Sequence, residues 1–248
     1  MLKRLIELIA YNRDWASYIY CKYQKLNPDQ LVSFRLRNGQ TVAIRADARF
    51  ILNEIFLDRV YDIAGVDYST CRSILDIGAN MGVYTLYAAS RAPQASIYCF
   101  EPSSENFSIL ERNCKTNGIR AKIFQAAVSG SSGVGHLVTD RSSVEYALGE
   151  ASQMSEQVEC FDLKKVFETT GEASFDFVKM DVEGAEREIL NNCPDELLVK
   201  LKALAIEWHH GWNELELLAD RFKSLGFKAQ PIKLQGQISY LIANQAKA

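Results

Sequence analysis

Residues 73–90, SILDIGANMGVYTLYAAS, constrain the fold more than any other stretch of this chain. An apolar run carries one acid, Asp76, breaks at Gly78-Ala79-Asn80-Met81-Gly82 and enters a helical pattern at once. A strand, a glycine loop and a helix in direct succession make the first half of a βαβ unit, and such units build parallel sheets. Glycine lets backbone approach a ligand where a Cβ would collide. In open α/β sheets, ligands bind beyond the carboxyl ends of the strands, where strand order reverses. The loop therefore marks one wall of a candidate site.

The rest of the chain extends this pattern. ASIYCF (95–100), AKIFQAAV (121–128), FDFVKM (175–180) and ALAIEW (203–208) read as strands. Residues 82–91, 104–116, 184–191 and 213–224 read as helices. Two short alternating stretches, near 134–138 and 157–161, lie in a Gly- and Ser-rich connection spanning 130–162. Strands near 227–233 and 237–243, with only LQG (234–236) between them, are too close for a crossover helix and should pair antiparallel. Ahead of this region, Leu2, Leu5, Ile6, Ile9 and Ala10 repeat at helical spacing. SFRLRNGQTVAIR (33–45) reads as a hairpin, with Asn38-Gly39 supplying positive φ at the turn and Phe34, Leu36, Val42 and Ile44 on one face. The expected organisation is an N-terminal cap over 1–48 and a binding domain over 49–248.

The loop does not suit a dinucleotide. Counting G-x-G-x-x-G from Gly78 puts Asn80 and Val83 where Gly and Gly/Ala are expected. Asp76 would also set a carboxylate near a pyrophosphate. S-adenosylmethionine carries a sulfonium and an ammonium, and both favour a nearby carboxylate. Glu101, at the end of the second strand and 19 residues after Gly82, can accept hydrogen bonds from both ribose hydroxyls. That feature is shared with NAD enzymes. Pro102 then ends the strand, because it has no N–H for the ladder. A third acidic mouth follows FDFVKM, with Asp181 and Glu183 ahead of a helix. Glu186 and Glu188 are read there as complements to the helix dipole.

LDIGANMGVYTL, FEPSSENFSILERN and DFVKMDVEGAEREIL together resemble the FkbM-type S-adenosylmethionine-dependent methyltransferases. The similarity runs over about residues 31–210, and three motifs in order are more specific than one glycine loop. It implies a class I methyltransferase (Rossmann-like) α/β fold: a seven-stranded, mostly parallel sheet with helices on both faces and one antiparallel strand. It also implies O-methylation of a hydroxyl on a sugar, glycan, polyketide or similar metabolite. By this resemblance Asp76, Gly78, Ala79, Asn80 and Gly82 hold the methionine end, Glu101 and Pro102 the ribose, and Gln125 and Ala126 lie near adenine. Many members carry a second proline after the ribose acid, where this chain has Ser103-Ser104.

Methyl transfer to an alcohol gains from a general base, because the hydroxyl is a poor nucleophile until its proton starts to leave. Asp181, Glu183 and His209 are the catalytic candidates, with Glu207 and His210 at the same mouth. Asp181, Glu183, Glu207 and His209 could instead hold a divalent cation such as Mg²⁺. His136 is read as structural. Trp208 and Trp212 either line a sugar-binding surface or belong to the core. The alternatives are an NAD(P)-dependent oxidoreductase and a non-catalytic nucleoside-binding module.

Net charge is −3, with no basic stripe to meet phosphates, so no nucleic-acid partner is expected. Six cysteines without C-x-x-C or zinc spacing suit a reducing, cytoplasmic setting. Lys3 and Arg4 before an apolar run resemble a signal peptide briefly, but Glu7, Arg13 and Asp14 interrupt it. The first helix is expected to pack on the body of the protein, attachment to a membrane surface being the alternative. No stretch is long enough to span a bilayer.

Overall fold

The structure is a computed structural model that describes residues 2–24, 26–62, 66–138, 147–149, 155–233 and 239–245. It begins with helices α1 (Leu2–Tyr11) and α2 (Trp15–Tyr23) and strands β1 (Leu31–Arg35) and β2 (Thr41–Arg45). A 3-10 turn (Asp47–Phe50), helix α3 (Ile51–Asn53) and a π-helical turn (Glu54–Asp58) follow in succession. The central region holds β3 (Ser73–Ile77), α4 (Val83–Arg91), β4 (Ser96–Phe100), α5 (Ser104–Thr116) and β5 (Lys122–Phe124). Next come β6 (Ala127–Val128), β7 (Gly133–Val138), β8 (Ala147–Gly149), β9 (Ser155–Phe161) and α6 (Leu163–Thr170). The chain continues through β10 (Phe177–Met180), α7 (Glu186–Asn192), α8 (Asp195–Leu198) and β11 (Ala203–Trp208). It closes with α9 (Trp212–Ser224), β12 (Phe227–Lys233) and β13 (Ser239–Gln245).

The main sheet has seven strands in the order β12-β13-β11-β10-β3-β4-β5. The pairs from β11 to β5 are parallel, and β13 runs antiparallel to both of its neighbours. From β3 the chain winds outward to β4 and β5, then returns to β10 on the other side of β3 and winds the opposite way. The reversal therefore falls between β3 and β10. Every residue of β3 is buried, as expected of a central parallel strand covered on both faces. Ile74 packs with α4, α5 and the N-terminal hairpin, while Leu75 and Ile77 pack with α6, α7 and α9.

The hairpin face is as read: Phe34, Leu36, Val42 and Ile44 are all buried. Its turn differs, because only Gly39 takes positive φ, at 91°. Leu36 N–H bonds Gln40 O, and Gly39 N–H bonds Leu36 O, so three residues form the turn and Gly39 supplies the bulge. Asn113 Oδ1 accepts from Ala43 N–H at 2.8 Å, and its amide nitrogen donates to Ala43 O at 2.8 Å, which fastens the hairpin to α5. Helix α1 buries Leu8, and Arg4 pairs with Asp58, so this helix packs on the body.

Other expectations need correction. AKIFQAAV is not one strand. It leaves the main sheet after Phe124 and enters a second, four-stranded sheet at Ala127, where β6 pairs with β9. Alternation reports a pleated chain but not which sheet receives it. The two alternating stretches in the connection are β7 and β9 of that sheet. FDFVKM is a strand only from Phe177, with Phe175 held by an isolated bridge to Leu201. Helices α2 and α6 were not anticipated. The segment LQG lies outside the described residues.

Candidate functional site

The site lies where β3, β4, β10 and β11 end. Gly78 N–H and Ala79 N–H both donate to Phe100 O at 3.0 Å, which folds the loop toward β4. Gly78 has φ 73°, and a Cβ there would stand 1.7 Å from Asp181 O. No side chain fits between these two strand ends. Asn80 also has positive φ, at 50°, and its Oδ1 accepts from Met81 N–H at 2.7 Å, a local bond that helps asparagine hold this conformation. Gly82 starts α4 at φ 80°, against Leu110.

Glu101 closes the loop from the β4 side. Its Oε2 accepts from Asn80 N–H at 2.7 Å and its Oε1 from Ser103 N–H at 2.9 Å. Burial raises its carboxyl to about 7, although both backbone bonds favour the charged form. Glu101 lines a cleft, together with Gly78, Asn80, Pro102, Val128 and Leu137. Gln125 is exposed and Ala126 is buried, and neither lines this cleft; Ala127 and Val128 do. Asp76 and Gly82 line neither this cleft nor its neighbour. Asp76 is fully buried beneath the loop, where Thr85 Oγ1 donates to its Oδ2 at 2.7 Å.

A second cavity adjoins the first and shares Asn80, Asp181 and Glu183 with it. One side is apolar, from Phe50, Ile51, Ile55 and Tyr84; the other is charged, from Lys179, Asp181, Glu183, Glu207 and His209. Lys179 is 4% exposed at its side chain. Its ammonium lies 3.6 Å from Asp76 Oδ1 and 3.5 Å from Asp181 Oδ2, and donates to Gly78 O at 2.6 Å. Burial lowers its pKa, but Asp181, Asp76 and Glu207 outweigh burial and raise it overall.

Tyr61 reaches the charged side from the N-terminal region. Its hydroxyl lies 3.2 Å from Asp181 Oδ2 and 3.0 Å from Glu207 Oε2. Tyr240 donates to the same Glu207 oxygen at 2.9 Å. Burial and the Asp181 charge push Glu207 up to about 7. His209 Nδ1 sits 2.8 Å from Glu186 Oε1, and Nε2 lies 3.4 Å from Glu183 Oε2. Burial pulls His209 down, but Glu186, Glu183 and Asp181 outweigh it and raise the imidazole to about 9. A histidine held protonated at neutral pH is a poor base. Glu183 itself sits at φ 53°, a strained position for a side chain that faces both cavities.

The structure thus brings Asp181, Glu183, Glu207 and His209 together. His210 turns to Gly184 O at 2.9 Å, and His136 stays in β7, lining neither cavity. Trp208 is buried, with its indole donating to Gly211 O, and Trp212 packs against the same core. Three contributors were missed in the sequence: Lys179, Tyr61 and the orienting role of Glu186. Glu186 does serve the start of α7, but it also accepts from Val182 and Gly184 N–H and holds His209.

The Methyltransferase FkbM domain matches residues 76–229, which include the whole glycine loop and the charged mouth. The chain belongs to the FkbM methyltransferase family. Among FkbM relatives, it is 27% identical over 218 residues to the 31-O-demethyl-FK506 methyltransferase FkbM of Streptomyces tacrolimicus, covering 73% of this chain and 83% of that protein. It is 28% identical over 177 residues to Methyltransferase 1 of Beauveria bassiana, covering 62% and 70%. A human methyltransferase 10 domain containing protein shares the fold at TM-score 0.51 and 14% identity, over 86% of this chain and 91% of that one. The seven-stranded sheet with antiparallel β13 is the arrangement implied by the resemblance.

Proposed function

We propose that this FkbM-family methyltransferase uses S-adenosylmethionine to methylate a hydroxyl of a sugar, glycan, polyketide or similar small metabolite. The observation that carries the reading is the pair of adjoining cavities that share Asn80, Asp181 and Glu183. One holds the acid expected at ribose, and the other is lined by acids suited to an acceptor. The donor fits the residues present: Glu101 presents a carboxylate to the first cleft, and Gly78, which lines it, lets the loop close directly on the Asp181 backbone. Asp76, Ala79 and Gly82 shape the loop; Pro102, with Ala127 and Val128, completes the nucleoside end.

When bound, the donor supplies an electrophilic methyl on a sulfonium. The protein's task is to hold an acceptor oxygen in line with that carbon and to take its proton. The acceptor's hydroxyl proton would pass to Glu183 as the methyl is transferred and the donor's thioether leaves. Glu183 is the base in this reading because it faces both cavities and His209 is held protonated. Asp181 and His209 set the charge around the acceptor oxygen. The apolar wall suits the carbon skeleton of a metabolite better than a phosphate backbone. Six unpaired cysteines support a reducing, cytoplasmic setting. Among the described residues no helix is long and apolar enough to cross a membrane.

Calorimetric titration tests the donor site. S-adenosylhomocysteine should bind at about −8 kcal/mol, in the micromolar range. Glu101→Ala should lose that binding, and NADH should not bind. The reverse preference would restore the oxidoreductase reading, and binding of neither would favour a module without turnover. With a labelled donor and a panel of hydroxyl acceptors, Glu183→Gln should lower kcat about 100-fold with little change in donor KM. An unchanged kcat would remove Glu183 from the mechanism.

Glu101 also sets a pH dependence. Ribose hydroxyls donate to its ionised form, so affinity should be full above pH 7 and fall as pH drops through about 7. Glu101→Gln should flatten the profile between pH 5 and about 8. The same shift acts on folding with the opposite sign. Burial favours the neutral acid, so its contribution to stability is lost as pH rises from the ordinary 4.5 toward about 7. A flat calorimetric profile in the unmodified protein would refute this assignment.

A further inference from the structure

We propose that Asp181, Glu207 and His209 together form a binding site for one divalent cation of the Mn²⁺ or Mg²⁺ class. The three residues come from two strand ends, β10 and β11, and each offers one ligand atom within 4.8 Å of the others. His209 Nε2 lies 4.0 Å from Asp181 Oδ1 and 3.7 Å from Glu207 Oε1. A cation with ligand distances of about 2.0–2.2 Å accommodates ligand atoms up to about 4.4 Å apart, so both spacings fit one ion.

The way the far atoms are held distinguishes this cluster from acids that merely lie close together. Asp181 Oδ2 is taken by Tyr61 and Lys179, and Glu207 Oε2 by Tyr61 and Tyr240. His209 Nδ1 is taken by Glu186, a fully buried carboxylate. Each residue thus has one atom fixed by a partner and one aimed at the common centre. Asp181 Oδ1, one of the aimed atoms, is itself buried and has no hydrogen-bond partner among the described residues. A buried acceptor without a protein partner calls for a water or an ion, and here it faces two other ligand atoms. A histidine whose other nitrogen bonds a buried carboxylate is the usual arrangement behind a metal-bound imidazole.

Charge supports the same conclusion. Four carboxylates, Glu54, Asp181, Glu183 and Glu207, line this cavity against one ammonium, Lys179, and an ion at His209 Nε2 would take the place of the proton held there. Carboxylate oxygens with one imidazole suit Mn²⁺ well and Mg²⁺ acceptably, whereas thiolate-seeking ions find no sulfur here. In the methyl-transfer reading, on which this role but not the site depends, the ion would hold the acceptor oxygen and ease loss of its proton. Glu183, beside the cluster, would accept that proton.

The test uses the full chain, stripped with EDTA, and MnCl₂ as the probe. Free Mn²⁺ is read by electron paramagnetic resonance. One ion per chain should bind with a dissociation constant below about 100 µM. Asp181→Asn and His209→Ala should each weaken it at least about tenfold, and Glu186→Gln, which holds the far side of His209 and the Val182 and Gly184 N–H groups, about tenfold. Glu216→Gln, on the exposed face of α9, should leave it unchanged. If His209→Ala does not fold, the spin-echo spectrum of Mn²⁺ on the unmodified chain decides, since nitrogen modulation from the imidazole is expected. Binding only in the millimolar range, absence of that modulation, or full binding in folded His209→Ala would overturn the site. S-adenosylhomocysteine calorimetry on the same samples separates the two claims. Mn²⁺ binding without the nucleoside upholds the cation site and sinks the methyl-transfer reading; nucleoside binding without Mn²⁺ does the reverse.

Discussion

Lys179→Met should lower the unfolding free energy by about 3–5 kcal/mol, because it strips the partner from charges that cannot return to water. Lys179 and Asp76 are register partners on adjacent parallel strands β10 and β3, so their side chains leave the same face of the sheet. Asp76 is fully buried and Lys179 is 4% exposed at its side chain, so solvent screening does little for the pair. Burial raises Asp76, the Asp181 charge adds to the shift, and the lysine is the main group opposing it. Without it, Asp76 must either stay charged in an apolar layer or take up a proton. The bond to Gly78 O is also lost, so the loop that shapes the donor cleft loses its anchor on the β10 side. Urea unfolding at pH 7 reads the effect. The double variant Lys179→Met/Asp76→Leu should recover a substantial part of the loss, since an apolar pair of similar volume has no charge to strand. A single-variant loss under about 1 kcal/mol would show that water reaches the pair.

This lysine also explains why part of the site was hidden in the sequence. FDFVKM reads as an apolar strand, and one long side chain with a four-carbon stem does not break that pattern. A signal was present: in a strand buried on both faces a lysine has no exit to solvent, and Asp76 is the one acid inside SILDI. Tyr61 left no comparable trace, since it meets Asp181 across 120 residues of chain and only tertiary packing brings it there. Glu186 had a sufficient local explanation in the helix dipole, and that explanation concealed its contact with His209. The elements that could be read are those whose cause is local. Helix α5 spans the predicted 104–116, because Ser103 caps it through a bond to Asn106 N–H and an apolar stripe runs along it. Helix α2 buries only Tyr18, too narrow a stripe to stand out as periodicity. The breaks that could not be read, such as the transfer of AKIFQAAV between sheets, depend on which partner strand is nearest.

Gly78→Ala should be the most damaging single methyl in the glycine loop. The new Cβ would stand 1.7 Å from Asp181 O and 2.9 Å from its carbonyl carbon, and both are backbone atoms that no rotamer can move aside. The β10–α7 turn would have to retreat, taking Asp181 and Glu183 with it. To that is added the cost of holding a side chain at φ 73°, about 1–2 kcal/mol. A total loss of about 3 kcal/mol or more is expected, with nucleoside binding abolished. Two neighbours calibrate the claim. At Gly82, φ 80°, the Cβ would meet Leu110 Cδ1 at 2.5 Å, the far end of a side chain that can yield, so Gly82→Ala should lose about 1–3 kcal/mol. At Gly184, φ 109°, nothing lies within 4 Å, and Gly184→Ala should lose only the backbone strain, about 1 kcal/mol. Urea midpoints and S-adenosylhomocysteine titration of the three variants should rank them Gly78, Gly82, Gly184. Equal losses would mean that positive φ alone matters. A tolerant Gly78→Ala that still binds the nucleoside would mean that the strand ends are not locked together, and with that the rigid wall shared by both cavities would be lost.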